Sequence, residues 1–161
     1  MDLTLIQRTL PFFLEAAWVT VHVSLLALLL GLLVAIVLVA ARLSGFFLLR
    51  CLARVYISVF RGTPCLVQLF LLYFGGPQIG LELEPFSAGV IGLGLNIAAY
   101  MAESIRGAIS NVDPGQVEAA RSIGFGKGQT LWLITLPQTA KLMIRPLGVN
   151  AVALIKGSAL V

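Results

Sequence analysis

Three stretches of this chain carry no Asp, Glu, Lys or Arg: Ala16–Ala41, Gly62–Leu81 and Pro85–Ala102, of 26, 20 and 18 residues. A helix needs about 20 apolar residues to cross a hydrocarbon layer roughly 30 Å thick. Each run qualifies, and the first is long enough to tilt. The chain has 161 residues, 59% of them hydrophobic and 11% charged. Soluble domains run at roughly 45–50% and about 25%, and one core of this size could not hide so much apolar surface. The bilayer is therefore the expected solvent, and the fold class is all-α membrane protein.

The net charge of +4 is not a nucleic-acid footprint, because its distribution follows the membrane. Arg42, Arg50, Arg54 and Arg61 gather around the link between the first two runs. Arg106, Arg121, Lys127, Lys141 and Arg145 follow the third, whereas only Glu82 and Glu84 lie between the second and third. Basic residues concentrate on the cytoplasmic side of membrane proteins. The pattern predicts an outside N-terminus, an inside Arg42–Arg54 link, an outside Glu82/Glu84 loop and an inside segment after Arg106. Cys51 and Cys65 have neither metal-ligand spacing nor an oxidising context, and packing is their expected role. No signal peptide is evident, since Pro11 and Glu15 precede an apolar run too long for an h-region.

The expected spans are residues 12–41, 55–74, 85–105 and 138–160, preceded by a short interfacial lead over residues 1–11. His22 is the one strongly titratable group inside the first, and a bond to a neighbouring carbonyl is its expected state. Leu43–Arg54 reads as a cytoplasmic connection in the form of an amphipathic surface helix. Pro64 removes a backbone donor and predicts a kink in the second span, which Gly75-Gly76-Pro77 should end. Gly89, Gly92 and Gly94 allow close helix approach in lipid. Glu103 and Arg106, three apart, can pair on one helical face. The fourth span is the most polar, with only Pro146–Ile155 free of charge between Arg145 and Lys156, so it needs protein or water around it.

Residues 107–137 form a long polar connection with internal punctuation. Asp113 is a good N-cap, Pro114 suits the first helical position, and Gln116 completes a capping-box spacing. Val117-Glu118-Ala119-Ala120-Arg121-Ser122-Ile123 follows, and Gly124 is a natural stop. A stub of about two and a half turns is too short to be stable alone and would have to dock. Glu118 offers a charge across such a contact, and the small alanines suit a groove. Gly126-Lys127-Gly128 then gives a flexible link, and Pro137 a break. These glycines are not a P-loop, which needs Gly where Arg121 stands and Ser or Thr where Gly128 stands.

The spacing Glu118-Ala119-Ala120, three residues, Gly124, nine residues, Ile134-Thr135-Leu136-Pro137 resembles the loop by which permeases of bacterial ABC importers engage their ATPase. The likeness extends from about Glu15 to Val161. It includes Trp18-Val19-Thr20, Arg61-Gly62-Thr63-Pro64, Gln68-Leu69-Phe70, Ala98-Ala99-Tyr100-Met101-Ala102-Glu103, Arg106-Gly107-Ala108-Ile109, Leu136-Pro137-Gln138 and Asn150. The Arg-Gly-Thr-Pro and Ala-Ala-Tyr elements narrow it to permeases for polar amino acids, the histidine, arginine, opine, glutamine and glutamate group.

The resemblance implies an ABC-importer helical bundle, about four spans here of an expected five, in a bacterial inner membrane with the N-terminus outside. It implies a second permease subunit, identical or homologous, two cytoplasmic ATPase subunits and an extracytoplasmic substrate-binding protein. The coupling residues would be Glu118, Ala119, Ala120, Arg121, Gly124 and Pro137. ATP and magnesium would belong to the ATPase, leaving this chain with no cofactor and no enzymatic role. Family members usually continue into a final span, so the chain is expected to lack one. They also often show Lys-Asp-Thr-Ser-Leu where this chain has Lys156-Gly157-Ser158-Ala159-Leu160, which leans towards the histidine, arginine and opine members.

Gln68, Tyr73, Tyr100, Glu103, Asn150 and Lys156 are polar groups in or near spans and are the candidates for a translocation pathway, interhelical glue being the alternative for each. An ion-coupled carrier or channel would place acidic residues at the membrane midplane, yet the first three spans have none inside. A scaffold would need no capped docking stub. An amino-acid importer permease is the reading the residues carry furthest.

Overall fold

The longest charge-free run lies within the longest helix. The computed structural model describes residues 3–160, and the side chains of residues 8–159; residues 1, 2 and Val161 lie outside the description. Helix α1 spans Leu3–Leu43 and takes in residues 3–11, expected as a separate lead, with Pro11 inside it. Within it Arg8–Leu43, 36 residues, is long and apolar enough to cross a membrane, with a mean hydropathy of 3.1 over an 18-residue stretch. At 1.5 Å per residue that is about 54 Å, well beyond a hydrocarbon core of roughly 30 Å. Such a helix has to tilt or project.

Only Ser44–Phe46 separates α1 from α2, Phe47–Gly62. Helix α3, Cys65–Phe70, runs on through a π turn, Leu71–Gly75, and a 3-10 turn, Gly76–Ile79. The expected second span, one kinked helix over 55–74, is instead two helical segments that meet at 107°. Proline disfavours the helical region for the residue before it, and Thr63 adopts φ −115°, ψ 143°. The helix ends there rather than bending. Gly75-Gly76-Pro77 does not end the segment, because Gly76 and Pro77 are absorbed into the 3-10 turn. The stop comes at Gly80, whose φ of +80° is the left-handed conformation glycine adopts freely.

Helix α4, Pro85–Ser110, crosses the core. Helix α5, Pro114–Ser122, and the single turn α6, Lys127–Thr130, follow. A π turn, Leu131–Thr135, leads directly into α7, Leu136–Gly157, with a last 3-10 turn at Ser158–Leu160. Pro137 therefore does not break the chain. Its ring would crowd the carbonyl four residues back in a tight α-helix, and the wider π turn just before it supplies the room.

Small residues decide how α1 and α4 pack. Ala27, Gly31 and Ala35 repeat every fourth residue on α1, and Gly94, Ala98 and Ala102 do the same on α4; all four alanines are completely buried. A Cβ on Gly31 would collide with the Ile97 side chain and lie 3.1 Å from the Gly94 carbonyl oxygen. One on Gly94 would lie 2.8 Å from Leu30 Cδ2 and 3.3 Å from the Ala27 carbonyl oxygen. This is the small-xxx-small contact of membrane helices, where close backbone approach replaces a hydrophobic drive that lipid cannot supply. Gly92 faces Leu69 of α3 instead. Gly89 lines an apolar cavity of about 200 Å³ with Leu66, Phe70, Tyr73 and Phe74.

Contacts between α1 and α4 rise together along both helices, from Gly94 with Ala27 to Glu103 with Arg42, so these helices run parallel. Contacts of α3 and α7 run the opposite way: Gln68 meets Asn96 while Phe74 shares a cavity with Pro85, and Asn150 meets Ser104 of α4 while Leu154 shares a cavity with Ser24, far back along α1. The Ser44–Phe46 link and the α4–α7 connection thus lie at one end of the bundle, and Gly80–Glu84 at the other. Among the described residues two helices can cross a membrane by length and composition, three if the bent pair counts as one span. Helix α7, which carries Lys141, Arg145 and Lys156, is not among them.

Candidate coupling and translocation sites

Helix α5 is closed at both ends by its own residues. Asp113 Oδ1 accepts from the Gly115 N–H at 2.8 Å, while the Gln116 N–H donates to the Asp113 carbonyl at 3.1 Å. The capping box expected through Gln116 does not form. The reaching-back carboxamide is Gln129, whose Oε1 accepts from the Gly126 N–H at 3.0 Å at the start of α6. At the other end Phe125 N–H donates to Ala120 O and Gly124 N–H to Arg121 O, both at 3.0 Å. This is the Schellman pattern, and it needs Gly124 at φ +91°.

Of its own surface α5 buries only Ala120, resting on the π turn Leu131–Thr135. Glu118, Ala119, Arg121 and Gly124 are exposed, and Ile123 at the tip is 74% exposed. An apolar tip flanked by one acid and one base is a surface without a partner among the described residues. Pro137 stands apart from that surface, exposed in the first turn of α7.

Two turns before the end of α4, Glu103 gathers two cations. Arg106 donates to its Oε1 through Nε at 2.8 Å and also through Nη2, the expected i,i+3 pair. Arg42 Nη1, from the last turn of α1, donates to Oε2 at 2.6 Å. Glu103 and Arg42 side chains are only 25% and 21% exposed. The triad therefore fastens the end of α1 to α4 immediately ahead of α5.

The remaining pathway candidates fall into separate places. Gln68 Nε2 donates to the carbonyls of Phe60 and Thr63 at 3.0 and 3.1 Å and to Thr63 Oγ1 at 2.6 Å. Those carbonyls belong to the broken end of α2, so Gln68 satisfies backbone groups that the break left free. Asn96 Nδ2 of α4 donates to Gln68 Oε1 at 3.0 Å and reaches Phe60 O at 3.3 Å. One turn on, Tyr100 lies under the Arg61 guanidinium, 5.4 Å from the ring centre. Asn150 Nδ2 donates to Ser104 Oγ at 2.9 Å and ties α7 to α4. Tyr73 packs edge-on against Phe74 in the α3–α4 cavity. Lys156 is exposed, with no hydrogen bond or ion pair among the described residues.

Asn96, Tyr100 and Glu103 therefore lie along one face of α4, joined by Gln68, Arg61 and Arg42 from other elements. Asn96 and Arg42 were not candidates. Asn96 had a signal, being an amide in an uncharged run one turn before Tyr100. Arg42 read only as a topology charge. His22 does as expected, with Nδ1–H donating to the Trp18 carbonyl at 2.8 Å. Among the described residues no group of His, Cys, Asp or Glu could hold a metal ion.

Residues 27–161 match the family described as binding-protein-dependent transport system inner membrane component. The chain is 42% identical over 153 residues to the probable amino-acid ABC transporter permease protein YckA of Bacillus subtilis, covering 95% of this chain and 68% of that protein. It is 39% identical over 163 residues to the arginine transport system permease protein ArtQ of the same organism, covering 100% and 74%. A chain in the crystal structure of an amino acid ABC transporter with histidines superposes with a TM-score of 0.94 at 36% identity, covering 99% of this chain and 74% of that one. The chain belongs to the binding-protein-dependent transport system inner membrane components, among the permease subunits of amino-acid ABC transporters.

Proposed function

We propose that this chain forms part of the translocation pathway of an ATP-driven, binding-protein-dependent importer of polar amino acids, and that α5 is the part a cytoplasmic ATPase grips. The observation that carries this reading is α5 itself: a helix capped at both ends, seated on Ala120 and presenting Glu118, Ala119, Arg121 and Ile123 to the surroundings. Two ATPase subunits would close on ATP and magnesium held in their own sites. Their movement would reach α4 through the short link at Asn111–Asp113, and α1 through the Arg42–Glu103–Arg106 triad. A second permease subunit would complete the pathway, and an extracytoplasmic binding protein would deliver the substrate. The end of the bundle bearing α5 would face the cytoplasm, with the N-terminus outside, since the basic residues crowd that end. Gln68, Tyr73, Tyr100, Glu103, Asn150 and Lys156 remain the pathway candidates, those along α4 being the better connected.

The test is ATP-dependent uptake of polar amino acids into vesicles carrying this chain, its ATPase and its binding protein, with Glu118 intact and with Glu118→Lys. Loss of uptake together with loss of ATPase retention is expected. Uptake without any ATPase, or retention untouched by the reversal, would point to a carrier or a scaffold.

A further inference from the structure

Helix α2 has three faces. Ala53 and Ile57 are buried against the bundle, and the Tyr56 hydroxyl donates to the Leu95 carbonyl at 2.8 Å. Leu48, Leu52, Val55 and Val59 are exposed and, at 100° per residue, fall within about 60° of one another. Arg50, Arg54 and Arg61 fall within about 40° on a third stripe, roughly opposite that apolar one. The helix contains no Asp or Glu. Arg61 sits over Tyr100. Arg50 and Arg54 have no hydrogen bond or ion pair among the described residues, and the Arg50 Nε is buried without an acceptor. Glu103, an acid at this end of the bundle, is already taken by Arg42 and Arg106.

The course of α2 matters as much as its charge. It begins three residues after α1 ends, at the same end of the bundle as α5, and makes 107° with the segment that follows. A helix lying crosswise with one apolar and one cationic face has the form that settles at a membrane interface, its apolar side in the acyl region and its cations among headgroups.

We propose that α2 lies in the membrane interface on the α5 side and that Arg50 and Arg54 bind the headgroups of anionic phospholipids there. Charge complementarity commits the site to an anion, because two guanidiniums lack a counter-charge among the described residues. The exposed apolar stripe on the far side of the same helix commits it to a lipid rather than a free phosphate, since only a lipid supplies acyl chains as well as the anion.

Native mass spectrometry of the full chain, purified with its partner subunits, tests this by titration with phosphatidylglycerol and, separately, phosphatidylcholine. A basic residue near an anionic surface contributes about fivefold in affinity. Arg50→Gln with Arg54→Gln should therefore weaken phosphatidylglycerol binding about 25-fold and leave phosphatidylcholine unchanged. Arg8→Gln, at the opposite end of α1, should alter neither. Should the double variant fail to fold, Arg54→Gln alone, at an exposed position, should still cost about fivefold. Equal binding of the two lipids, or phosphatidylglycerol binding unchanged in the variants, would overturn the proposal. So would loss of a partner subunit from the same spectra with lipid binding intact, which would assign the stripe to a protein contact.

Discussion

Replacing Gly94 by alanine tests whether backbone contact holds α1 to α4. A new Cβ there would lie 2.8 Å from Leu30 Cδ2, 3.1 Å from Leu30 Cγ and 3.3 Å from the Ala27 carbonyl oxygen. Leu30 can rotate its far end away, but the Ala27 carbonyl moves only with the helix. Overpacking of this kind costs about 1–3 kcal/mol, and alanine returns about 0.5–1 kcal/mol of helical preference over glycine, leaving a net loss of up to about 2.5 kcal/mol. Gly107 is the control on the same helix, since a Cβ there meets nothing within 4 Å. Its alanine variant should gain about 0.5–1 kcal/mol. Gly92→Ala should fall between, because the atoms nearest its Cβ belong to the flexible side chains of Leu69 and Leu72. The assay is reversible unfolding by SDS in mixed micelles, followed by the fluorescence of Trp18 and Trp132. Gly31→Ala combined with Gly94→Ala should cost less than the sum, since helices already spread by one methyl accept the second more cheaply. Were Gly94→Ala to match the wild type while Gly107→Ala lost stability, the small-residue contact would not be what sets the α1–α4 spacing.

Three further outcomes follow from the same geometry. Glu103→Ala should lower stability by about 1.5–3 kcal/mol, the range for hydrogen bonds to charged groups, and a double-mutant cycle with Arg42→Ala should show a coupling of about 1 kcal/mol; additive losses would mean that Arg42 does not hold α1 to α4. Gly124→Ala forces a left-handed conformation on an L-residue at about 1–2 kcal/mol, so hydrogen exchange of the α5 amides should accelerate while that of α4 stays unchanged. With Cys51 and Cys65 replaced by serine, an impermeant maleimide should label Gly45→Cys from the cytoplasmic side and Glu82→Cys from the outside; the reverse labelling would invert the proposed orientation.

The residues themselves were sufficient for the material and the periodic parts of this protein. Uncharged runs of 26 and 18 residues admit few structures other than membrane helices, and α1 and α4 contain them. Local chemistry was equally legible. Proline before a helix, glycine after it, Glu103 with Arg106 one turn apart and His22 with the carbonyl behind it are contacts within a few residues, fixed by helix geometry alone. Where local signals competed, tertiary context chose between them. Pro64 separates two helices because Thr63 is driven to an extended conformation and Gln68 and Asn96 stand ready to satisfy the freed carbonyls. Pro137 breaks nothing because a π turn absorbs it. Gln129, not Gln116, reaches back to a helix start.

What no single stretch of sequence contains is which distant groups meet. Arg42 lies 61 residues from Glu103, and as a sequence feature it is only one more positive charge at a span end. Parallel packing of α1 on α4 through Gly31 and Gly94 makes it a partner of that carboxylate. The stripe of Asn96, Tyr100 and Glu103 likewise becomes a connected surface only when α1, α2 and α3 bring Arg42, Arg61 and Gln68 against it. Helical periodicity acts over a turn and is therefore written in neighbouring residues. Pairing between helices depends on the shape of two whole surfaces and on chain direction, so only the folded bundle decides it.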